Sequence, residues 1–99
     1  MVTLESLVGQ NPVVIFSKSS CGICHSIQQL IRSFGANPTV YELDQHPDGK
    51  EIESKLGRKP SLPVVYIGQK LVGGAKDVTS LQVRGELVQE LIRAGAIWV

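Results

Sequence analysis

A chain of 99 residues has room for one small domain, and with 42% hydrophobic and 19% charged residues it has the balance of an ordinary globular core. Ten basic residues against nine acidic give a formal charge of +1, without the basic surplus or stripe of a nucleic-acid binder this small. Two cysteines exclude a secreted disulfide scaffold, and no apolar run reaches membrane-spanning length. The opening Met1-Val2-Thr3-Leu4-Glu5 has no charged region followed by an apolar stretch, so no signal peptide is expected. The expectation is a reducing intracellular compartment, with neither nucleic acid nor membrane as partner.

Thr3 to Val8 put Leu4, Leu7 and Val8 on one helical face, and Pro12 breaks that pattern. Val13 to Phe16 is apolar on both faces, as in a central strand. The polar loop Ser17-Lys18-Ser19-Ser20 leads to Cys21, after which Ile23, Ile27, Leu30, Ile31 and Phe34 recur at helical spacing. Gly35 stands where a helix end favours a left-handed residue. Thr39 to Leu43 is strand-like by its β-branched and aromatic content. Asp48 to Leu56 reads as a mostly exposed helix, with only Ile52 and Leu56 facing inward and Gly57 ending it. Val64 to Ile67 is a second buried strand, and Gly68-Gln69-Lys70 turns it back into Leu71-Val72 as a hairpin. Gly73-Gly74 interrupts the chain, and Asp77 is placed to cap a short helix with Val78 and Leu81. Leu87, Val88, Leu91 and Ile92 form a last amphipathic stripe that Gly95 should end. Strands joined through crossover helices are expected to be parallel and the hairpin antiparallel, giving an α/β fold with a four-stranded mixed sheet flanked by helices.

Cys21-Gly22-Ile23-Cys24 follows a buried strand and opens the strongest helix. The nucleophile in thiol chemistry is the thiolate, and a helix N-terminus favours negative charge. Lys18 adds a second positive influence. Cys24 lies one turn further in, and residues three apart on a helix are about 5–6 Å apart, within disulfide range. This assigns Cys21 as the attacking thiol and Cys24 as the more buried resolving one. Two inert structural thiols would be indifferent to this position. A zinc site lacks a second cysteine pair, and His25 and His46 are too far apart for a ligand pair. Both histidines read as solvated surface residues. Pro63, ahead of a buried strand, is on its own residues either an ordinary trans turn proline or a cis one.

Lys18-Ser19-Ser20-Cys21-Gly22-Ile23-Cys24, Ser61-Leu62-Pro63 and Gly73-Gly74-Ala75-Lys76-Asp77 together resemble a glutaredoxin, over essentially the whole chain. Phe34 to Pro38, Tyr41 to Asp44 and Arg93 to Val99 resemble, more narrowly, the plant CC-type glutaredoxins. The resemblance implies a single thioredoxin-fold domain over residues 1–99 that uses glutathione to reduce protein disulfides and glutathionylated proteins. It implies that Cys21 and Cys24 are catalytic and that Pro63 is a cis-proline facing them. Leu62 would offer its backbone to the cysteinyl part of glutathione, and Lys76 and Asp77 would hold the γ-glutamyl end. Lys18 and Arg58, or Lys59, would face the glycyl carboxylate, with Gly22, Ile23 and Gly74 completing the contacts. Two departures stand out: the CC-type carries a second cysteine where Gly22 stands, and Ile23 replaces the tyrosine common in the dithiol class.

The resemblance also implies two further functions. One is a [2Fe–2S] cluster held by Cys21 of two chains and two glutathiones, the chain being otherwise a monomer. The other is an adaptor whose terminal Ala96-Ile97-Trp98-Val99 binds TGA-type basic-leucine-zipper factors, in cytoplasm and nucleus. For that apolar tail the alternative is that Ile97 and Trp98 fold back onto the domain.

Overall fold

Five consecutive residues, Val13–Ser17, are fully buried in the computed structural model, which describes residues 3–56 and 62–97. A strand apolar on both faces can be buried only as an inner strand covered on both sides. This one, β1, occupies that place in a four-stranded sheet that also contains β2 (Thr39–Glu42), β3 (Val64–Ile67) and β4 (Lys70–Gly73), in the order β2-β1-β3-β4. Its side chains divide by alternation. Val13 and Ile15 join one core with Ile27, Ile31, Val78, Leu87 and Leu91, whereas Val14 and Phe16 join another with Val8, Leu43 and Ile52.

The first core is covered by α2 (Gly22–Arg32), α4 (Ala75–Val83) and α5 (Leu87–Arg93), and the second by α1 (Leu4–Gly9) and α3 (Gly49–Lys55). The element order read from the sequence is the one found. The fold is α/β and thioredoxin-like. None of the described helices is long and apolar enough to cross a membrane.

One strand direction departs from expectation. β1 and β2 are parallel through Phe16↔Tyr41, but β3 runs antiparallel to β1 through Phe16↔Val64. The seven-residue α3 does not return the chain along the sheet, so β3 starts at the end where β1 and β2 finish. The β3–β4 hairpin turns on Gly68 and Gln69, both at positive φ (61° and 70°), the twist-matched tight turn of hairpins. Gly35, at φ 94°, and Gly95, at φ 77°, sit just beyond α2 and α5, as the sequence implied.

The register gathers four segments at one end of the sheet. β1 runs out at Ser17 into the loop that carries Cys21. Pro63 lies one residue before Val64, the partner of Phe16, and Gly73 pairs with Val65. The chain then enters α4 at Ala75.

Candidate active site

Cys21 is the N-cap of α2, with extended backbone at φ −89° and ψ 104°, and its Sγ accepts the Cys24 backbone N–H at 3.1 Å. A sulfur in that position meets both the unpaired first-turn amides and the positive end of the helix. Cys21 and Cys24 are joined in a disulfide with Cα atoms 5.3 Å apart. Cys24 is fully buried and Cys21 only partly so, which makes Cys21 the sulfur that an incoming disulfide can reach. Gly22 between them faces open space.

The loop ahead of Cys21 is fastened by contacts that sequence reasoning missed. Ser19 donates to Asp44 through both its backbone N–H, at 3.0 Å, and its hydroxyl. These two bonds, the hydroxyl's first, hold the Asp44 carboxyl below its usual range. On the other side the Ser19 carbonyl lies 3.2 Å from His25 Nε2, and the Lys18 carbonyl accepts from Cys21 N–H at 3.0 Å. His25 is exposed as expected, yet it is tied to this loop. His46 is half-buried, not freely solvated, because its Nδ1 accepts the Asp48 N–H and its ring packs on Tyr41. Asp44 is 25 residues from Ser19, and no spacing rule links them.

The other predicted residues are placed as follows. Lys18 Nζ stands 3.5 Å from Glu53 of α3, an exposed pair of the kind that is worth little and is readily exchanged for another partner. Leu62 is half-buried against the second core, and Pro63 is fully buried with a cis Leu62–Pro63 bond. Gly74 is the N-cap of α4, so the helix starts three residues earlier than an Asp77 cap would allow. Asp77 is instead its third residue, and its Oδ2 accepts the Gly74 N–H at 3.0 Å. Gly73, at φ 126°, lies so close to that carboxylate that a Cβ there would overlap it. Lys76 occupies the first turn of α4, where backbone amides have no partner within the helix. Arg58 and Lys59 lie outside the described residues, as do Trp98 and Val99.

One apolar expectation is corrected and another decided. Ile23 is 56% exposed and belongs to neither core, although it continues the stripe of Ile27 and Ile31 by spacing. Ile97, left open between a partner anchor and a residue folded back onto the domain, takes the second course: it is buried in the first core, where Ala96 also packs, so chain packing accounts for both.

A cysteine pair at a helix N-terminus, a cis-proline and a glycine break leading into a second helix N-terminus therefore meet at one end of the sheet. The Glutaredoxin family profile matches residues 13–72, spanning the cysteine pair and the cis-proline and ending just before the glycine break. The chain belongs to the glutaredoxin family. Glutaredoxins are glutathione-dependent thiol oxidoreductases, and this one is similar to plant members throughout. It is 59% identical to Monothiol glutaredoxin-S6 of Arabidopsis thaliana over the full length of both chains. The buckwheat glutaredoxin–glutathione complex superimposes with a TM-score of 0.89 at 37% identity, covering 95% of this chain and 88% of that one. The holo form of glutaredoxin C1 from Populus tremula x tremuloides does so with a TM-score of 0.85 at 38% identity, covering 91% and 92%.

Proposed function

We propose that this glutaredoxin reduces glutathionylated proteins and protein disulfides with Cys21 as nucleophile and Cys24 as resolving thiol. The observation that carries the reading is the position of Cys21 Sγ, accepting an amide at the N-terminus of α2. In the reduced protein that amide and the helix dipole favour the thiolate over the thiol. The Cys21 thiolate attacks the glutathione sulfur of a mixed disulfide, and the protein sulfur leaves with the electron pair and takes up a proton. A second glutathione thiolate then attacks the glutathione sulfur on Cys21, which leaves glutathione disulfide and regenerates the thiolate. In the other branch the Cys24 thiolate attacks Cys21 Sγ, expels glutathione and closes the disulfide.

The glutathione ligands belong to the same proposal. The backbone of Leu62, ahead of cis-Pro63, pairs with the cysteinyl unit. The Lys76 amide takes the γ-glutamyl carboxylate, and Asp77 takes its amine. Lys18 exchanges Glu53 for the glycyl carboxylate, with Arg58 beside it, and Gly22, Ile23 and Gly74 leave the tripeptide room. Each charge of glutathione thereby meets its opposite. Glutathione-coupled reduction of a small mixed disulfide by wild type, Cys21→Ser and Cys24→Ser tests the assignment. Cys21→Ser is expected to abolish turnover and Cys24→Ser to retain a substantial part. Full activity in Cys21→Ser would end it.

A second reading is favoured by the open space at Gly22 and by the holo form of the poplar relative. Among the described residues no group of three or more His, Cys, Asp or Glu could hold a metal, so one chain offers Cys21 alone. Cys21 from each of two chains would hold a [2Fe–2S] cluster with two glutathione thiolates, and the cluster would supply one-electron chemistry or cluster transfer. Anaerobic reconstitution giving a brown dimer supports this reading, and a colourless monomer rejects it. We further propose that the protein acts in cytoplasm and nucleus and binds TGA-type transcription factors through Trp98 and Val99.

A further inference from the structure

Lys18 borders a hollow shared with α3, whereas Ile23 opens onto a different one, a surface groove of about 450 Å³ along the outer side of α4. Ala75, Lys76, Thr79, Val83 and Arg84 form the rest of its lining that matters here. Ile23 and Val83 are 56% and 80% exposed, two of the four large hydrophobic side chains left exposed among the described residues, and both face this groove. Isolated exposed hydrophobics need no explanation, but a pair bordering one groove beside a reactive sulfur does.

The charged side chains that line the groove are of one sign. Lys76 and Arg84 line it and no described carboxylate does. Asp77 turns to the Gly74 amide and lines a separate hollow. Arg84 meets Glu86 through Nε at 3.1 Å, an exposed pair, and Lys76 forms no ion pair among the described residues. Glutathione carries no apolar side chain to set against Ile23 and Val83, and the contact proposed for it at Lys76 uses the backbone amide, not the side chain. The groove nonetheless begins at Ile23, between the two cysteines, so a polypeptide whose sulfur reacts at Cys21 has it within reach.

We infer that this groove receives the polypeptide flanking the reacting cysteine of a protein substrate, with an apolar side chain against Ile23 and Val83 and a neighbouring carboxylate at Lys76 and Arg84. The inference rests on the oxidoreductase reading and adds the substrate's local chemistry to it. Ile23, Val83, Lys76 and Arg84 thus select among protein substrates after glutathione chemistry has selected the bond.

The test uses the full chain, reduced, with Cys24→Ser so that exchange stops at its first step. The probes are short peptides whose single cysteine carries 5-thio-2-nitrobenzoate in a mixed disulfide, one flanked by Leu and Glu and one by Gly and Lys. The Cys21 thiolate attacks the peptide sulfur, a Cys21–peptide disulfide forms, and 5-thio-2-nitrobenzoate leaves with the electron pair and is read by its absorbance. The Leu/Glu peptide is expected to react about tenfold faster, from one buried apolar side chain and a complementary charge. Val83→Asp and Arg84→Glu should each bring the ratio towards one, and Arg84→Glu should reverse the choice between Leu/Glu and Leu/Lys peptides. A ratio near one in the Cys24→Ser parent, or an undiminished ratio in both variants, overturns the inference. Failure of wild type to turn over a small glutathione mixed disulfide, with the peptide ratio intact, would sink the glutathione reading and leave the groove standing.

Discussion

Ser19 gives both of its donors to Asp44 and its carbonyl to His25, and two residues later the chain presents Cys21. Positions 18 to 21 must be held before a sulfur can be aimed, so Asp44 acts through Ser19 as a positioning residue. Because Ser19 depresses the folded-state pKa of Asp44, its contribution to stability is present above the ordinary carboxylate pKa of about 3.9 and disappears as pH falls through the lower folded value. The difference in melting temperature between wild type and Asp44→Ala should therefore be open at pH 7 and close at strongly acidic pH. The same variant should slow Cys21 exchange at neutral pH, and a pH-independent difference in melting temperature would refute the ionic account. The cysteine pair was legible in the sequence because helix, dipole and spacing are local rules. The Asp44 contact was not, since it joins residues that only the β1–β2 pairing brings together.

At the scale of elements, α4 carries two demands on one carboxylate. Asp77 accepts the Gly74 N–H, which secures the start of the helix, and its exposed position also suits the amine of glutathione. Asp77→Ala should remove both, lowering stability by roughly 0.5–2 kcal/mol as lost helix-terminal bonds do and raising the KM for a glutathione mixed disulfide. Asp77→Asn separates them: its carbonyl oxygen still accepts from Gly74, so the melting temperature should recover while the KM stays high. A normal KM in Asp77→Asn would leave the residue with its structural role alone. Gly73→Ala should disturb the same corner more strongly, because φ of 126° disfavours a side chain and the added Cβ overlaps the Asp77 carboxylate. Helical periodicity placed α4, but its first residue depended on which backbone amide Asp77 would find. The stripe through Ile23 erred for a related reason: periodicity identifies a face without saying how far along the helix the neighbouring layer extends.

At the scale of the molecule, the order of elements followed from alternating apolar runs and turn residues, whereas the direction of β3 depended on a helix too short to recross the sheet. The end of the chain shows the same limit. The sequence leaves Ala96 and Ile97 open between an apolar tail that meets a partner and one that folds back, and Ile97 completes the core formed by α2, α4 and α5, only 8% exposed. The partner-binding proposal therefore rests on Trp98 and Val99. Ile97→Ala should destabilise the domain by roughly 2–5 kcal/mol, as truncation of a buried isoleucine does. Any loss of binding in that variant would reflect unfolding, so a deletion of Ala96 to Val99 cannot separate the two roles. Removal of Trp98 and Val99 alone leaves the core residue in place and takes away a large aromatic of the kind favoured at binding hot spots. This truncation should keep the wild-type melting temperature and the rate of Cys21 exchange while losing association with TGA-type factors, measured by pull-down and by calorimetry on purified partners. A shortened chain that melts early would extend the core to Trp98. One that folds and still binds would move the recognition surface elsewhere on the domain.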